Sequence, residues 1–361
     1  MDSTASAPPP AAQPGAWTEP LLRVRHLSKQ FLVRRRGFLR TVVGIIRAVN
    51  DLSFDVRPGE TLGLVGESGA GKTTAARCIL RALLPTAGEV WFRANGRWID
   101  LAGLPERALK PLRPAMQLIF QDPYSSLNPR MTVGQIVGEP LTIHRLARGS
   151  ELDDRVADML RKIGLKPEHR TRYPQAFSGG QRQRIGIARA LIMRPSLVVA
   201  DEAVSALDVS VQAQVLNLLK DLQAEFKLTC IFIAHNLDVV RHVCDRVAVM
   251  YAGRIVELGA TAALFEDPRH PYTRALHAVV PRPEPDQRMA FQLAGEVADP
   301  GNLPAGCAFH PRCPQCFAPC PQHRPEMTSA AGGDAGAERD HWVACHLNQE
   351  AQAQGDGRIS P

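Results

Sequence analysis

The stretch "GLVGESGAGKTT", beginning at Gly63, constrains this chain more than any other. It carries the spacing G-x-x-x-x-G-K-T from Gly66 to Thr73, between a short apolar run and the helical pattern "KTTAARCILRALL". Strand, glycine-rich turn and helix in that order form a phosphate cradle. Gly66, Glu67, Ser68, Gly69, Ala70 and Gly71 supply a loop whose backbone N–H groups can turn toward one anion. Lys72 is expected to reach the β- and γ-phosphates and the Thr73 hydroxyl to bind Mg²⁺. With Thr74, these residues open a helix whose unsatisfied donors and dipole favour negative charge.

A second segment, "SLVVADE", supplies matching acids. Its apolar run predicts a buried strand that delivers Asp201 and Glu202 to its C-terminal end, the edge at which open α/β sheets bind ligands. Asp201 is expected to hold Mg²⁺, and Glu202 to orient and deprotonate a water. Two adjacent carboxylates can also be an ordinary solvated strand end. Together with the phosphate loop they read as one site. His235 ends the strand "CIFIAH" and Gln121 follows "QLIF", so both are expected at the same edge, although a lone histidine there is more often structural. The alternation of such strands with helical patterns predicts an α/β domain with a largely parallel sheet. A mostly helical insert is expected after residue 123.

The chain has 361 residues, enough for one large domain with an appendage. Its formal charge of +7 suits nucleic acid, an anionic membrane surface or a phosphorylated ligand, and selects none of them. The opening "MDSTASAPPPAAQPGAW" lacks the basic start and apolar run of a secretory signal, so residues 1–20 are expected to be a tail. No apolar stretch approaches the roughly 20 residues that cross a bilayer. A soluble protein in a reducing compartment is expected, with any membrane role coming through a partner.

The segment "AFSGGQRQRIGIARALIM" repeats the equipment of an anion site. Ser178 can cap a helix, Gly179 and Gly180 permit close backbone approach, and Gln181 follows in the first turn. One nucleotide does not need two cradles in one monomer, so this second cradle is expected to face a nucleotide held by another subunit.

Taken together, "GESGAGKTT", Gln121 in "IFQDP", "FSGGQRQR", "LVVADEAVSALD" and "FIAHNL" resemble the ATP-binding subunit of an ABC transporter. "DPYSSLNPRMT", "HPYTRAL" and the tail "GCAFHPRCP…C…VACH" resemble the oligopeptide and dipeptide importer branch. The long "FLVRRRGFLRTVVGIIRAVNDLSF" leans toward the F-type rather than the D-type ATPase of such pairs. The resemblance implies a P-loop NTPase of ABC type at residues 21–265, with a helical subdomain at about 123–180. A small cysteine-rich C-terminal extension follows at 266–361. It implies that ATP and Mg²⁺ are sandwiched between two stacked subunits, with Ser178, Gly179, Gly180 and Gln181 of one touching the γ-phosphate bound by the other. Phe31 matches the residue that stacks on adenine. Ser205 through Asp208 match a loop that crosses the dimer interface. The implied catalytic groups are Glu202, His235, Gln121 and Lys72, with Thr73, Gln121 and Asp201 around Mg²⁺. Ala203 departs from the proline common after the catalytic glutamate, which removes a φ restraint there.

The implied partners are a second related ATPase, two membrane permeases and an extracytoplasmic solute-binding protein, with no nucleic acid. The implied place is the cytoplasmic face of the bacterial inner membrane. Alternatives are a relative importing nickel or glutathione, or a soluble ABC ATPase acting on nucleic acid or ribosomes.

Of the eight cysteines, four fall between Cys307 and Cys320 and a fifth is Cys345. In a reducing compartment thiols so clustered point to metal, and spacing alone leaves zinc and iron–sulfur open. By resemblance Cys307, Cys313, Cys320 and Cys345 hold a [4Fe–4S] cluster, with Zn²⁺ as the alternative and Cys316 outside the pattern. Histidines 310, 323, 341 and 346 offer alternative nitrogen ligands. The extension has too little apolar patterning to fold securely alone, so a structural role for the metal is expected.

Overall fold

The structure is a computed structural model that describes residues 19–34, 42–278, 295–330 and 340–349. The expected tail up to residue 18, most of the basic "RRRGFLR" loop and part of the C-terminal extension lie outside the described residues.

The chain opens with two long strands, β1 (Leu22–Arg34) and β2 (Val42–Val56), then enters β3 (Thr61–Val65), which is buried throughout. After the glycine loop comes α1 (Lys72–Ile79), then β4 (Ala87–Ala94), β5 (Arg97–Asp100), the short α2 (Glu106–Leu109) and β6 (Met116–Ile119). The insert follows as α3 (Val133–Ile143) and α4 (Gly149–Lys162), leading to α5 (Gly179–Leu191). The α/β rhythm resumes with β7 (Leu197–Asp201), α6 (Val209–Phe226), β8 (Thr229–Ala234), α7 (Leu237–Val243), β9 (Arg246–Tyr251) and β10 (Arg254–Ala260). Helix α8 (Thr261–Glu266) closes the ATP-binding fold, and the extension contributes α9 (Pro271–Ala278), α10 (Pro319–Gln322), β11 (Thr328–Ser329) and β12 (Trp342–Val343).

Two sheets result where the periodicity predicted one. β2, β1, β4 and β5 form a separate antiparallel sheet, and the main sheet runs β11-β12-β10-β9-β3-β8-β7-β6. Its central members pair in parallel: β3 with β8 and β9, and β7 with β6 and β8. Helix α1 packs against strands of both sheets. Ala75, Ala76, Cys78 and Ile79 are buried there among Val24, Val49, Phe92, Val199 and Ile231. A helix buried on several sides reads as nearly continuous apolar sequence, which is what "AARCIL" shows. The other face of the main sheet carries the insert and α5 through α7, in a core that includes Val133, Leu160, Ile185, Val215 and Val240.

The extension is not a detached appendage. β12 pairs with β10 through Glu257↔Val343 and Leu258↔Trp342, so the main sheet continues into it. Phe309 is fully buried and meets Tyr251 of β9 and Tyr272 of α9 edge-on or tilted, at 5.3 and 5.4 Å between ring centres. The extension therefore borrows the apolar core of the ATP-binding fold, which its own sparse patterning could not supply.

Candidate nucleotide-hydrolysis site

Parallel pairing places the C-terminal ends of β3, β8, β7 and β6 side by side along one edge. The residues that follow those ends are the glycine loop, His235, Glu202 and Gln121. Residues far apart in sequence therefore meet because each strand stops in register with its neighbour: Val65 lies beside Ala234, Ile233 beside Asp201, and Ala200 beside Ile119.

The loop itself is shaped by its glycines. Gly71 has φ 97°, and a side chain there would meet the Ala48 carbonyl oxygen of β2 at 2.0 Å. Only glycine allows that conformation and that approach together. The Lys72 ammonium donates to the Gly66 carbonyl at 2.6 Å and the Glu67 carbonyl at 3.0 Å, spanning the loop it closes. Burial pushes the Lys72 pKa down, opposed by Glu202, Asp201 and Glu67. The Thr73 hydroxyl donates to Asp201 Oδ1 at 2.8 Å. Burial raises the Asp201 carboxyl pKa, so a cation at this point would relieve the cost of its charge. An aliphatic hydroxyl and a carboxylate at one point form the hard oxygen donor set that Mg²⁺ prefers.

Glu202 is the centre of the remaining chemistry. Its Oε2 accepts from the Gln121 amide at 2.7 Å and lies 3.7 Å from His235 Nδ1. Its backbone holds φ 46°, and its N–H donates to the Ile233 carbonyl of β8. A left-handed glutamate costs roughly 1–3 kcal/mol, which the surrounding sheet must offset. The strain turns the chain sharply at the strand end. Ala203 is buried directly behind it.

Phe31, half-exposed on β1, pairs with Ile46 of β2, two residues before the Ala48 that packs on Gly71. That puts Phe31 about 7 Å along the strand from the loop contact. Ser178 caps α5: its Oγ accepts from Gln181 N at 3.4 Å while the Gln181 side chain accepts from Ser178 N at 3.1 Å. Gly179 and Gly180 follow in the first turn, and Gly180 packs closely on Val211 of α6. Asp208 caps α6 by position, and the Ser205 hydroxyl donates to the Glu202 carbonyl at 3.0 Å. Lys72, Thr73, Asp201, Glu202, Gln121 and His235 thus share one site. The described side-chain hydrogen bonds of Ser178 run only to Gln181.

Among the described residues, no three of His, Cys, Asp and Glu are arranged to hold a single metal ion. Cys307, Cys313, Cys320 and Cys345 nonetheless line one small cavity with Phe309, His310 and His346. Burial pushes the Cys307 thiol up to about 11, and the neighbouring Cys345, Cys320 and Cys313 add to it. Cys316 is exposed outside that cavity. His341 points elsewhere, to Glu257 at 2.7 Å.

Two further residues reach the site from "HPYTRAL" and "GCAFHPRCP", stretches whose sequence gave them no role at the phosphate loop. Tyr272 OH accepts the backbone N–H of Glu67 at 2.9 Å, and the Arg312 guanidinium grips the Glu67 carboxylate with two bonds of 2.7 and 3.1 Å. Each partner lies more than two hundred residues from the loop, so no local spacing announces it.

A phosphate loop, a hydrogen-bonded Thr–Asp pair beside it and a carboxylate held by an amide define a P-loop nucleotide hydrolase. Residues 49–205 match the ABC transporter family, and residues 256–320 match the C-terminal region of oligopeptide/dipeptide transporters. A probable peptide ABC transporter ATP-binding protein of Sinorhizobium fredii is 50% identical over 345 residues, covering 95% of this chain and 94% of that protein. An oligopeptide transport ATP-binding protein of Bacillus subtilis is 46% identical over 333 residues, covering 91% and 98%. Among solved structures, the dimeric post-hydrolysis ATP-binding cassette MJ0796 bound to ADP and Pi superimposes with a TM-score of 0.58. It is 27% identical and covers 66% of this chain and 98% of that one. The chain belongs to the ATP-binding subunits of ABC transporters, in the oligopeptide/dipeptide branch. No described helix is long and apolar enough to cross a membrane.

Proposed function

We propose that this chain hydrolyses ATP to drive import of oligopeptides or dipeptides through partner membrane permeases. The observation that carries the reading is Glu202, held by Gln121 beside the phosphate loop, in a chain whose peptide-transporter extension is built into the same sheet. The full assembly is one copy of this chain, a second related ATPase, two permeases and an extracytoplasmic binding protein, seated on the cytoplasmic face of the bacterial inner membrane. Support for the pairing comes from the spare anion cradle at Ser178 and from the dimeric cassette that this fold resembles.

In that assembly Phe31 stacks on the adenine and the loop from Gly66 to Thr74 wraps the phosphates. Lys72 leaves its carbonyl partners for the β- and γ-phosphates. Thr73 and Asp201, with Gln121, would hold Mg²⁺, which supplies charge neutralisation at the transferring phosphoryl group. Glu202 orients the attacking water and takes its proton, while His235 donates toward the γ-phosphate. The partner's Ser178 loop closes over the nucleotide, with Asp208 and its neighbours crossing the interface. Loss of the bridging γ-phosphate lets the pair open.

For the cysteines we favour a [4Fe–4S] cluster over Zn²⁺. Four thiols lining one cavity supply the number of ligands such a cluster takes. Cys307, Cys313, Cys320 and Cys345 would hold it, and its bonds would cross-link the Cys307–Cys320 segment to the end of β12.

The decisive experiment is Glu202→Gln in the assembled transporter, isolated anaerobically. Turnover is expected to fall about 10²- to 10⁴-fold, or about 3–5 kcal/mol of barrier, with ATP still bound and peptide uptake lost. Turnover within a factor of about three of the parent would overturn the role of Glu202. Retained peptide uptake in cells lacking this chain would overturn the transport reading. The same preparation should contain iron and sulfide with broad visible absorbance; zinc without them would sink the cluster.

A further inference from the structure

Glu67 is an odd residue for its place. It is a carboxylate in the second position of a loop that otherwise serves to attract a polyanion. Its charge is close enough to Lys72 to oppose that lysine's loss of a proton. Left free, it would compete for the ammonium and repel a triphosphate. The fold does not leave it free. Arg312 meets both carboxylate oxygens in a fork, with only 5% of its side chain exposed against 24% for Glu67. The guanidinium also lies over the ring of Tyr251, 6.0 Å from its centre. From the other side the fully buried Tyr272 accepts the Glu67 backbone N–H. Arg312 belongs to the short turn His310–Arg312, which the burial of Phe309 between Tyr251 and Tyr272 locks in place.

We propose that Arg312 and Tyr272 are positioning residues for ATP: they neutralise and fix Glu67, so that the C-terminal extension sets the affinity of the phosphate loop for triphosphate. Neither residue touches the nucleotide in this account. Both act through Glu67. The extension, whose Cys307 and Cys313 flank Arg312 in sequence, thereby gains a direct mechanical and electrostatic grip on the ATP site. A partly buried bidentate ion pair is suited to this, since its two fixed bonds specify geometry as well as charge.

A latch that merely fastens the extension makes different predictions from one that tunes the loop. The inference rests on ATP being the ligand; ATP binding by the unaltered full-length chain tests that premise, and ratios between variants test the latch. In Arg312→Ala, the Kd and KM for ATP are expected to rise about tenfold, with kcat little changed and ADP affected less than ATP, because the freed Glu67 charge acts most on the more highly charged ligand. Removing that charge as well, in Arg312→Ala/Glu67→Gln, should restore ATP affinity to within about threefold of the parent. Arg312→Lys, which keeps the charge but loses the fork, should fall between. Should Arg312→Ala prove unstable, Glu67→Gln alone decides: it is expected to bind ATP at least as tightly as the parent. Unchanged ATP affinity in a folded Arg312→Ala, a double variant as weak as the single, or weaker binding by Glu67→Gln would each overturn the proposal.

Discussion

Glu257 ties the extension to the ATP-binding fold, and its replacement by glutamine has a calculable outcome. The residue sits on β10 with no exposed surface. Its Oε1 accepts from Arg269 N and His341 Nε2, both at 2.7 Å, and its Oε2 accepts from His270 N at 3.0 Å. Burial alone would raise its pKa, but the hydrogen bonds from His341 and from the two backbone groups hold it below the usual range. In Glu257→Gln the new amide nitrogen must occupy one of the two oxygen positions. At Oε2 it confronts the His270 N–H, and at Oε1 the Arg269 N–H. Either rotamer orphans a buried backbone donor, at a cost of about 1–3 kcal/mol, and the remaining bonds lose their charge assistance. The sum is about 3 kcal/mol, concentrated on the start of α9 and on β12. Hydrogen exchange should therefore accelerate about 100-fold at residues 269–273 and 341–343, with β7 and β8 unaffected. ATP binding should weaken as well, since the α9 segment carries Tyr272 to Glu67. Unaltered exchange in both segments would refute the claim that this buried carboxylate anchors the extension.

His270 gives a pH dependence of definite sign. It is buried beside Glu257, its Nδ1 accepts from Tyr272 N, and burial lowers its pKa to about 4. Below its ordinary pKa of about 6.5 the unfolded chain binds a proton that the folded chain refuses, so stability is lost as pH falls from about 6.5 to 4, by roughly 3 kcal/mol in all. Melting curves of the full-length chain and of His270→Asn should converge over that window as the parent loses its advantage; parallel curves would contradict the assignment. Gly180→Ala places a methyl group 2.3 Å from Val211 Cγ1 and must displace the start of α5 from α6. It should leave ATP binding to the isolated chain intact while abolishing ATP-dependent pairing, measured by size-exclusion chromatography in a Glu202→Gln background.

The order of strands and helices around the nucleotide was legible because each element is short and strongly patterned. "TLGLV", "LVVAD" and "TCIFIA" are continuous apolar runs, as strands covered on both faces must be. The separate antiparallel sheet was not legible. β1 and β2 look alike whether they join the main sheet or make their own, since pairing partners leave no mark in a single strand's periodicity. How the extension is held to the ATP-binding fold was hidden for a related reason. Its proline- and glycine-rich stretches hide two very short strands and one buried phenylalanine, whose value lies in aromatic partners supplied by β9 and α9.

The sequence by itself determined the chemistry at the phosphate loop, because the glycines, lysine and hydroxyl that build it lie within eight consecutive residues and act through local backbone geometry. It also named the residues at the strand ends, since a buried strand must stop where its polar residues begin. Tertiary structure alone decided which of them meet. Parallel register set Thr73 against Asp201 and Gln121 against Glu202, and burial of Phe309 carried Arg312 across to Glu67. Contacts of that kind depend on where the chain comes to rest in three dimensions, and a neighbour two hundred residues away imposes no periodicity on the sequence that receives it.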